Sequence, residues 1–302
     1  MRVWLPYVEM ADLARARADT DVDMYDGVGE PPKSLDQVEL YVLPYLQGIA
    51  PARLMAAMPR LRVAQTLTAG VDDVLPLVPD GVTLCNAQGV HDASTAELAV
   101  ALILASLRGI PDFVRDGARG RWHGERRNSL ADRRVLLVGY GSVGAAVERR
   151  LDGFECDVRR VARRAREGVH GFADLPHLLP EADVVVLTVP MTEETRGMVD
   201  ARFLAALPDG ALFVNVARGP VVRTDDLLAE VTSGRLCAAI DVTDPEPLPE
   251  QHLLWSCPNV LISPHVGGNT SAFLPRACRL IEEQLRRISV GEPLLNVVSG
   301  AY

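Results

Sequence analysis

Val135-Leu136-Leu137-Val138-Gly139-Tyr140-Gly141-Ser142-Val143-Gly144 is the stretch whose reading decides the fold. An apolar run of strand length meets a Gly-x-Gly-x-x-Gly and passes into an alanine-rich, helix-forming segment. In that order, strand before and helix after, the glycine triplet reads as a dinucleotide-binding turn rather than a simple loop. Each glycine has its own task. Gly139 makes the tight turn, Gly141 lets the backbone approach a pyrophosphate, and Gly144 lets the helix pack close to the strand. The phosphates then sit on the helix N-terminus, where N–H groups and the dipole favour anions.

Working outward, five more apolar runs follow the fingerprint at Asp157 to Val161, Val184 to Val189, Ala211 to Val216, Ala238 to Val242 and Val260 to Ser263. Helical stretches separate them, so six strand–helix units predict a doubly wound parallel sheet. Upstream, Arg2 to Leu5, Val38 to Leu43, Leu61 to Leu67 and Val82 to Cys85 read as strands, and Ala11 to Ala18 as a helix. The expected fold class is therefore α/β, a Rossmann domain over residues 98–288 plus a smaller flavodoxin-like α/β substrate domain over 1–97 and 289–302. Thr95 to Leu107 is apolar nearly all round and predicts a buried helix. Asp112 to Asn128 is a charged, arginine-rich arm around Trp122. A last amphipathic helix is expected over Ser271 to Ile288, with the tail returning to the first domain.

The bulk numbers narrow the function. A chain of 302 residues with 48% apolar content can build two cores. A net charge of −9 argues against nucleic acid as a partner. An anionic substrate then has to be held by locally placed arginines, because Lys33 is the only lysine. The five cysteines are scattered with no Cys-x-x-Cys, as in a reducing compartment, and no metal site is expected. No run reads as a membrane span or signal peptide, so the expectation is a cytoplasmic protein with no membrane partner.

The second strand bears on cofactor choice. An acidic residue about 20 residues past the first glycine usually holds the ribose 2′-hydroxyl of NAD. Here the strand runs into Arg163-Arg164-Ala165-Arg166. A carboxylate would repel a 2′-phosphate, whereas guanidinium groups can bind it bidentately. The expected cofactor is NADP(H) rather than NAD(H), read by Arg163 and Arg164.

Three later segments are apolar strands that end in a polar residue beside Gly or Pro: Phe213 to Gly219, Ala239 to Pro249 and Asn259 to Gly268. Ligands of open α/β sheets bind outside such strand ends. Arg218, Glu246 and His265 are thus expected to converge on one site. Singly, each would pass as a cap or turn residue; the set beside a dinucleotide fold points to catalysis.

With these segments in view, the chain resembles the D-isomer-specific 2-hydroxyacid dehydrogenase family over nearly its whole length. The matching pieces are Thr68-Ala69-Gly70-Val71-Asp72, Asn86, Ala96-Glu97, the fingerprint, Pro190 with Thr195, Asn215 to Gly219, Asp241 to Pro249 and Pro264 to Gly268. The departure at the second strand is closest in character to the NADPH-dependent glyoxylate/hydroxypyruvate reductases. The resemblance implies reduction of a small 2-oxo acid to a D-2-hydroxy acid. Arg218 would hold the carboxylate and polarise the carbonyl. His265 would give a proton to the alkoxide formed as hydride reaches C2, and Glu246 would orient the ring. Backbone from Ala69, Gly70 and Val71 would complete the carboxylate grip in a cleft between domains. Cofactor contacts are implied for Gly139 to Gly144, with Tyr140, Ser142 and Val143 among them, and for Arg163, Arg164 and Val189. Pro190, Thr195, Ala217, Asp241 and Gly268 complete that set, with Asp241 on the nicotinamide side.

Lesser candidates are His91 and Asp92 near the interdomain hinge, with a loop or helix-cap role ahead of substrate contact, Tyr45 in a loop that could equally reach the substrate side chain or pack on the surface, and Glu97 as structural. Trp122 resembles a tryptophan that related reductases insert into a neighbouring subunit's pocket, and a homodimer is the family expectation. His123, His170, His177 and His252 read as surface residues. Two other readings stand beside the reductase. One is an NAD-linked D-2-hydroxyacid dehydrogenase of phosphoglycerate type. The other is a dinucleotide-sensing binding protein without turnover.

Overall fold

A computed structural model describes residues 1–17 and 19–299 of the chain. The chain forms two compact units, residues 1–91 with the C-terminal segment from Ser271, and Asp92–Thr270. The expected boundaries after residue 97 and before residue 289 shift accordingly.

The first unit holds β1 (Arg2–Leu5), β2 (Asp21–Met24), β3 (Leu40–Val42), β4 (Val63–Gln65) and β5 (Thr83–Cys85). They form an all-parallel sheet in the order β2-β1-β3-β4-β5, the flavodoxin-like order. β1 and β3 are apolar because both faces are covered, as parallel sheets require. β2 is an edge strand that reads Asp-Val-Asp-Met, which explains why hydrophobic pattern alone misses it. The first helix spans Val8–Arg15 rather than 11–18, and Ala18 lies outside the described residues.

The C-terminal helix Phe273–Val290 belongs to this unit, not to the second one. Its Phe273, Ala277, Leu280, Ile281 and Leu285 fall on one stripe, and they pack with Val3, Leu5, Leu40, Val42 and the helix residues Met10 and Ala14. An amphipathic stripe says that a helix is covered but not by which sheet, so sequence alone misassigned it. A polar clasp fixes its register: Gln284 Nε2 donates to Gln65 Oε1 at 2.8 Å and to the Leu295 carbonyl at 3.0 Å.

The second unit holds β6 (Arg134–Val138), β7 (Asp157–Ala162), β8 (His170–Gly171), β9 (Val184–Leu187), β10 (Leu212–Asn215), β11 (Cys237–Ile240) and β12 (Val260–Ile262). All pair in parallel, in the order β12-β11-β10-β9-β6-β7-β8. Counted from β6 this is the Rossmann order 3-2-1-4-5-6 with one more edge strand. The sheet thus has seven strands where six are expected, because two-residue β8 is too short to leave a pattern. β9 and β10 are buried throughout, and each of their Val and Leu side chains contributes about 1.5–3 kcal/mol.

Helices Asp92–Arg108 and Ser142–Leu151 cover one face, through Ala96, Ala99, Ile103, Ala146 and Val147. The other face carries Phe203 and Leu204 of Ala201–Ala205, and Leu227 and Val231 of Thr224–Thr232. The helix expected over 95–107 begins at Asp92, which puts Glu97 in its second turn on the exposed side. No single helix among the described residues is long and apolar enough to cross a membrane. The five cysteines are free thiols.

Candidate active site

The order of the second sheet reverses at β6, whose neighbours are β7 and β9. A crevice opens outside the carboxyl ends of strands at such a switch point. Gly139, directly after β6, has φ +106°, and a Cβ there would lie 2.6 Å from Thr188 C and Val189 N. Only glycine tolerates both conditions. Thr188 Oγ1 donates to the Gly139 carbonyl at 2.6 Å and ties the turn to β9. A Cβ on Gly144 would collide with the Gly139 carbonyl, whereas one on Gly141 would meet nothing within 4 Å. Gly141 therefore leaves space above the turn rather than filling it. No side chain caps helix Ser142–Leu151, and its first hydrogen bond runs from Ala145 N–H to Gly141 O at 3.0 Å. The N–H groups of Ser142, Val143 and Gly144 precede that bond and face the anion-favouring end of the helix. This cradle fits the pyrophosphate of a dinucleotide.

Polar contacts surround the fingerprint turn. The Tyr140 hydroxyl donates to Glu148, whose Oε1 also accepts from Arg160 Nε at 2.6 Å. Partial burial would raise the Glu148 carboxyl, but those hydrogen bonds outweigh it and hold it below the usual range. Arg160 and Arg166 each sit 5.7 Å from the Tyr140 ring centre, and Arg166 Nη2 donates to the Tyr140 carbonyl at 2.7 Å. Arg163 pairs with Glu194 at 2.6 Å. Arg164 is exposed, with no ion-pair partner among the described residues. On the β9 side Val189 is buried and Pro190 exposed. Thr195 Oγ1 donates to the Pro190 carbonyl at 2.7 Å and closes the following turn. Sequence reasoning found the arginines but missed Glu194 and Glu148, because an exposed glutamate carries no signal of its partner.

Arg218, Glu246 and His265 follow β10, β11 and β12, three successive strands of the same sheet. His265 Nδ1 lies 2.5 Å from Glu246 Oε1, with the side chains 42% and 41% exposed. Glu246 is held below the usual carboxylate range, first by that hydrogen bond, with the charge of Arg218 adding to it. Arg218 is half-buried, and its Nη1 donates to the Ala217 carbonyl at 2.8 Å. The structure thus joins His265 to Glu246 and puts Arg218 within electrostatic reach of the pair.

Backbone geometry explains how the three are held. Gly219 lies against the Thr243 carbonyl, where any Cβ would overlap it, and Asp244 N would be 2.9 Å away. The Arg218 loop and the Glu246 loop are therefore in backbone contact. Asn215, buried at the end of β10, spans the Arg218 turn: its Oδ1 accepts from Ala217 N–H at 3.0 Å and its Nδ2 donates to the Arg218 carbonyl at 3.1 Å.

Asp241 does the corresponding work for His265. It is 3% exposed, Oδ1 accepts from Ser263 Oγ at 2.6 Å and Val266 N–H at 2.9 Å, and Oδ2 accepts from Gly267 N–H at 2.9 Å. Its carbonyl accepts from His265 N–H at 2.8 Å. His265 itself has φ +51°, a conformation that this bracket enforces on a non-glycine residue. The expected role of Asp241 toward a nicotinamide thus gains a second role, as the clamp of the histidine loop. Gly268 lies in the same loop, half-buried.

The first unit holds the remaining candidates. In the loop after β4, Thr68 Oγ1 donates to Gly70 O at 2.8 Å and Asn86 Nδ2 to Ala69 O at 2.9 Å, while Val71 is buried. His91 is buried, with Nε2 2.7 Å from the Leu67 carbonyl. It stacks on Phe273, which stacks in turn on Tyr45 at 4.1 Å. Tyr45 thus has a packing partner that sequence reasoning missed. In the second unit Asp92 begins its helix and accepts from Ser142 Oγ at 3.2 Å. Trp122 is fully exposed. His123 and His170 lie near Asp116 and Asp174, and His177 is exposed. His252, expected to be an idle surface residue, instead caps a turn by accepting from Leu254 N–H at 3.2 Å.

Comparison with known proteins gives the family and the fold. Residues 100–267 match the model of the D-isomer specific 2-hydroxyacid dehydrogenase NAD binding domain. A glyoxylate reductase/hydroxypyruvate reductase of Mus musculus is 33% identical over 88% of this chain and 87% of its own. A solved D-isomer specific 2-hydroxyacid dehydrogenase from Xanthobacter autotrophicus Py2, in complex with NADPH and MES, is 34% identical with a TM-score of 0.81, covering 99% of this chain and 97% of that one. An NADPH-dependent glyoxylate/hydroxypyruvate reductase from Sinorhizobium meliloti, in complex with NADP and sulfate, is 27% identical with a TM-score of 0.84, covering 99% and 97%.

Proposed function

Because the chain belongs to the D-isomer specific 2-hydroxyacid dehydrogenase family, whose members are NAD(P)-dependent enzymes, we propose that it reduces a small 2-oxo acid of the glyoxylate or hydroxypyruvate kind with NADPH. The 2.5 Å contact between His265 and Glu246 at neighbouring strand ends is the observation that carries the reading. The unit Asp92–Thr270 would bind the dinucleotide through the Gly139–Gly144 cradle, with Arg163 and Arg164 toward the adenosine side. A dinucleotide held there would supply the hydride that reduces C2 of the substrate.

The chain's own groups do the rest. The planar fork of Arg218 holds the substrate carboxylate and polarises the 2-oxo group. His265 Nε2 gives its proton to the oxygen that becomes the hydroxyl, and takes it back in the reverse direction. Glu246, bonded to Nδ1, fixes the ring so that Nε2 is the nitrogen turned to the substrate. Asp241 and Asn215 keep the two loops in register.

The similarity to the mouse protein named a glyoxylate reductase/hydroxypyruvate reductase, and the NADPH and NADP in the two solved relatives, support this choice of substrate and cofactor. So do the arginines after β7. A screen of NADPH and NADH oxidation against a panel of 2-oxo acids tests it. Turnover of glyoxylate or hydroxypyruvate with NADPH is expected, and a clear preference for NADH or for a large 2-oxo acid would overturn it.

We further propose a homodimer. Ile110, Phe113 and Val114 make an exposed apolar face on helix Ile110–Gly117, and Trp122 stands exposed beyond it. Sedimentation should give twice the chain mass, falling to one for Val114→Asp. A wild-type monomer would remove this proposal.

A further inference from the structure

The Arg163–Glu194 ion pair joins the segment after β7 to the turn after β9. Arg163 directly follows β7, and Glu194 lies in the turn that follows β9. In the sheet β6 lies between these two strands, in register with both. A link from the end of β7 to the turn after β9 therefore passes over the end of β6, where the fingerprint turn opens. The pair is 2.6 Å long, with its side chains 61% and 47% exposed. Two other arginines of this region are also engaged by protein groups. Arg160 is bonded to Glu148, and Arg166 to the Tyr140 carbonyl.

We propose that Glu194 is a selectivity residue of the cofactor site, competing with the cofactor's 2′-phosphate for the Arg163 guanidinium. The inference rests on the NADP(H) reading above. A dianionic phosphate and a carboxylate seek the same planar fork, so one must leave when the other arrives. Arg164 takes the phosphate without such an exchange. After the exchange Glu194 remains nearby as a like charge, which weakens a phosphorylated ribose and spares an unphosphorylated one. Glu194 thus narrows the preference for NADP(H) over NAD(H) that the arginines create. The pair is exposed, so its effect is modest and screened by salt.

The experiment is calorimetric binding of NADP⁺ and of NAD⁺ to the wild-type protein, Glu194→Gln, Arg163→Gln and the double variant, at low and at physiological salt. Both positions are exposed, and thermal melts check that each variant folds. Glu194→Gln should tighten NADP⁺ by roughly two- to five-fold and leave NAD⁺ nearly unchanged, more so at low salt. In the Arg163→Gln background the same change should have a smaller effect, because the competition is gone and only the repulsion between Glu194 and the phosphate is left. If Arg163→Gln weakens NADP⁺ but Glu194→Gln changes nothing, the competition is overturned and the cofactor reading stands. If Arg163→Gln and Glu194→Gln both leave NADP⁺ binding untouched, the assignment of Arg163 falls, and the competition with it.

Discussion

His265 and Glu246, nineteen positions apart in sequence, are joined by a 2.5 Å contact between Nδ1 and Oε1. The carboxylate comes from the loop after β11 and the imidazole from the loop after β12, so adjacent parallel strands deliver the pair. Among the described residues of the second unit, the pairs His123–Asp116 at 3.5 Å and His170–Asp174 at 3.8 Å are longer. Glu246→Gln keeps the shape and removes the charge. Turnover should fall about 10- to 100-fold, less than the roughly 10²- to 10⁴-fold that a positioned acid or base contributes by itself, with cofactor affinity unchanged. Steady-state kinetics with a cofactor titration checks both halves.

The same pair has a pH consequence. The Glu246 carboxyl is depressed, first by its bond to His265, so its charged form is favoured in the folded protein. The contact is therefore complete above the ordinary carboxylate range, near 4.3, and is lost as pH falls through the lowered value. The histidine NMR signal of His265 should show an acid-side inflection below that range in the wild type. In Glu246→Gln that inflection should be gone.

Gly219→Ala tests the contact between the two loops. Its Cβ would overlap the Thr243 carbonyl, and backbone has to move. Overpacking of this kind costs about 1–3 kcal/mol, which lowers Tm by roughly 3–10 °C in a unit of this size. Because Arg218 is the preceding residue, kcat/KM should fall further than stability accounts for. Calorimetry and kinetics on one preparation separate the two effects.

Arg218→Lys keeps the charge and loses the fork. KM for the 2-oxo acid should rise about tenfold or more, because an ammonium cannot make two parallel bonds to a carboxylate. Dinucleotide affinity should be unchanged, since the cradle is built by Gly139 to Gly144. Substrate titrations at saturating cofactor measure the first effect, and calorimetry the second.

Acid stability offers an independent check on the sheet. Asp183 leads into β9, accepts from Arg134 N–H at 2.8 Å and pairs with Arg133 and Arg134. Burial raises this carboxyl, but the bonds from Arg134 outweigh it and the net shift is downward. A depressed carboxyl stabilises the fold above its unfolded value, near 3.9, and that contribution disappears as pH falls through the lowered value. Denaturant midpoints at pH 6 and pH 3 should therefore differ less in Asp183→Asn than in the wild type.

The Rossmann strands announced themselves because β6, β9, β10 and β11 are buried on both faces and so read as unbroken apolar runs. β2 and β8 escaped, the first as a polar edge strand and the second as a two-residue one. Arg218, Glu246 and His265 were legible because strand ends followed by Gly or Pro mark where a parallel sheet binds ligands. Their supports were not. That Gly219 abuts Thr243, or that Asp241 gathers the donors of Ser263, Val266 and Gly267, depends on where separate loops meet in space. The stack of Phe273 on Tyr45 and His91 was hidden for the same reason.

The proton-donating role proposed for His265 can be separated from dinucleotide binding. It is tested most directly by the turnover number of His265→Ala for reduction of glyoxylate or hydroxypyruvate with NADPH. A fall of about 10²- to 10⁴-fold is expected, with NADPH still bound at wild-type affinity. Turnover within a few-fold of the wild type would contradict it.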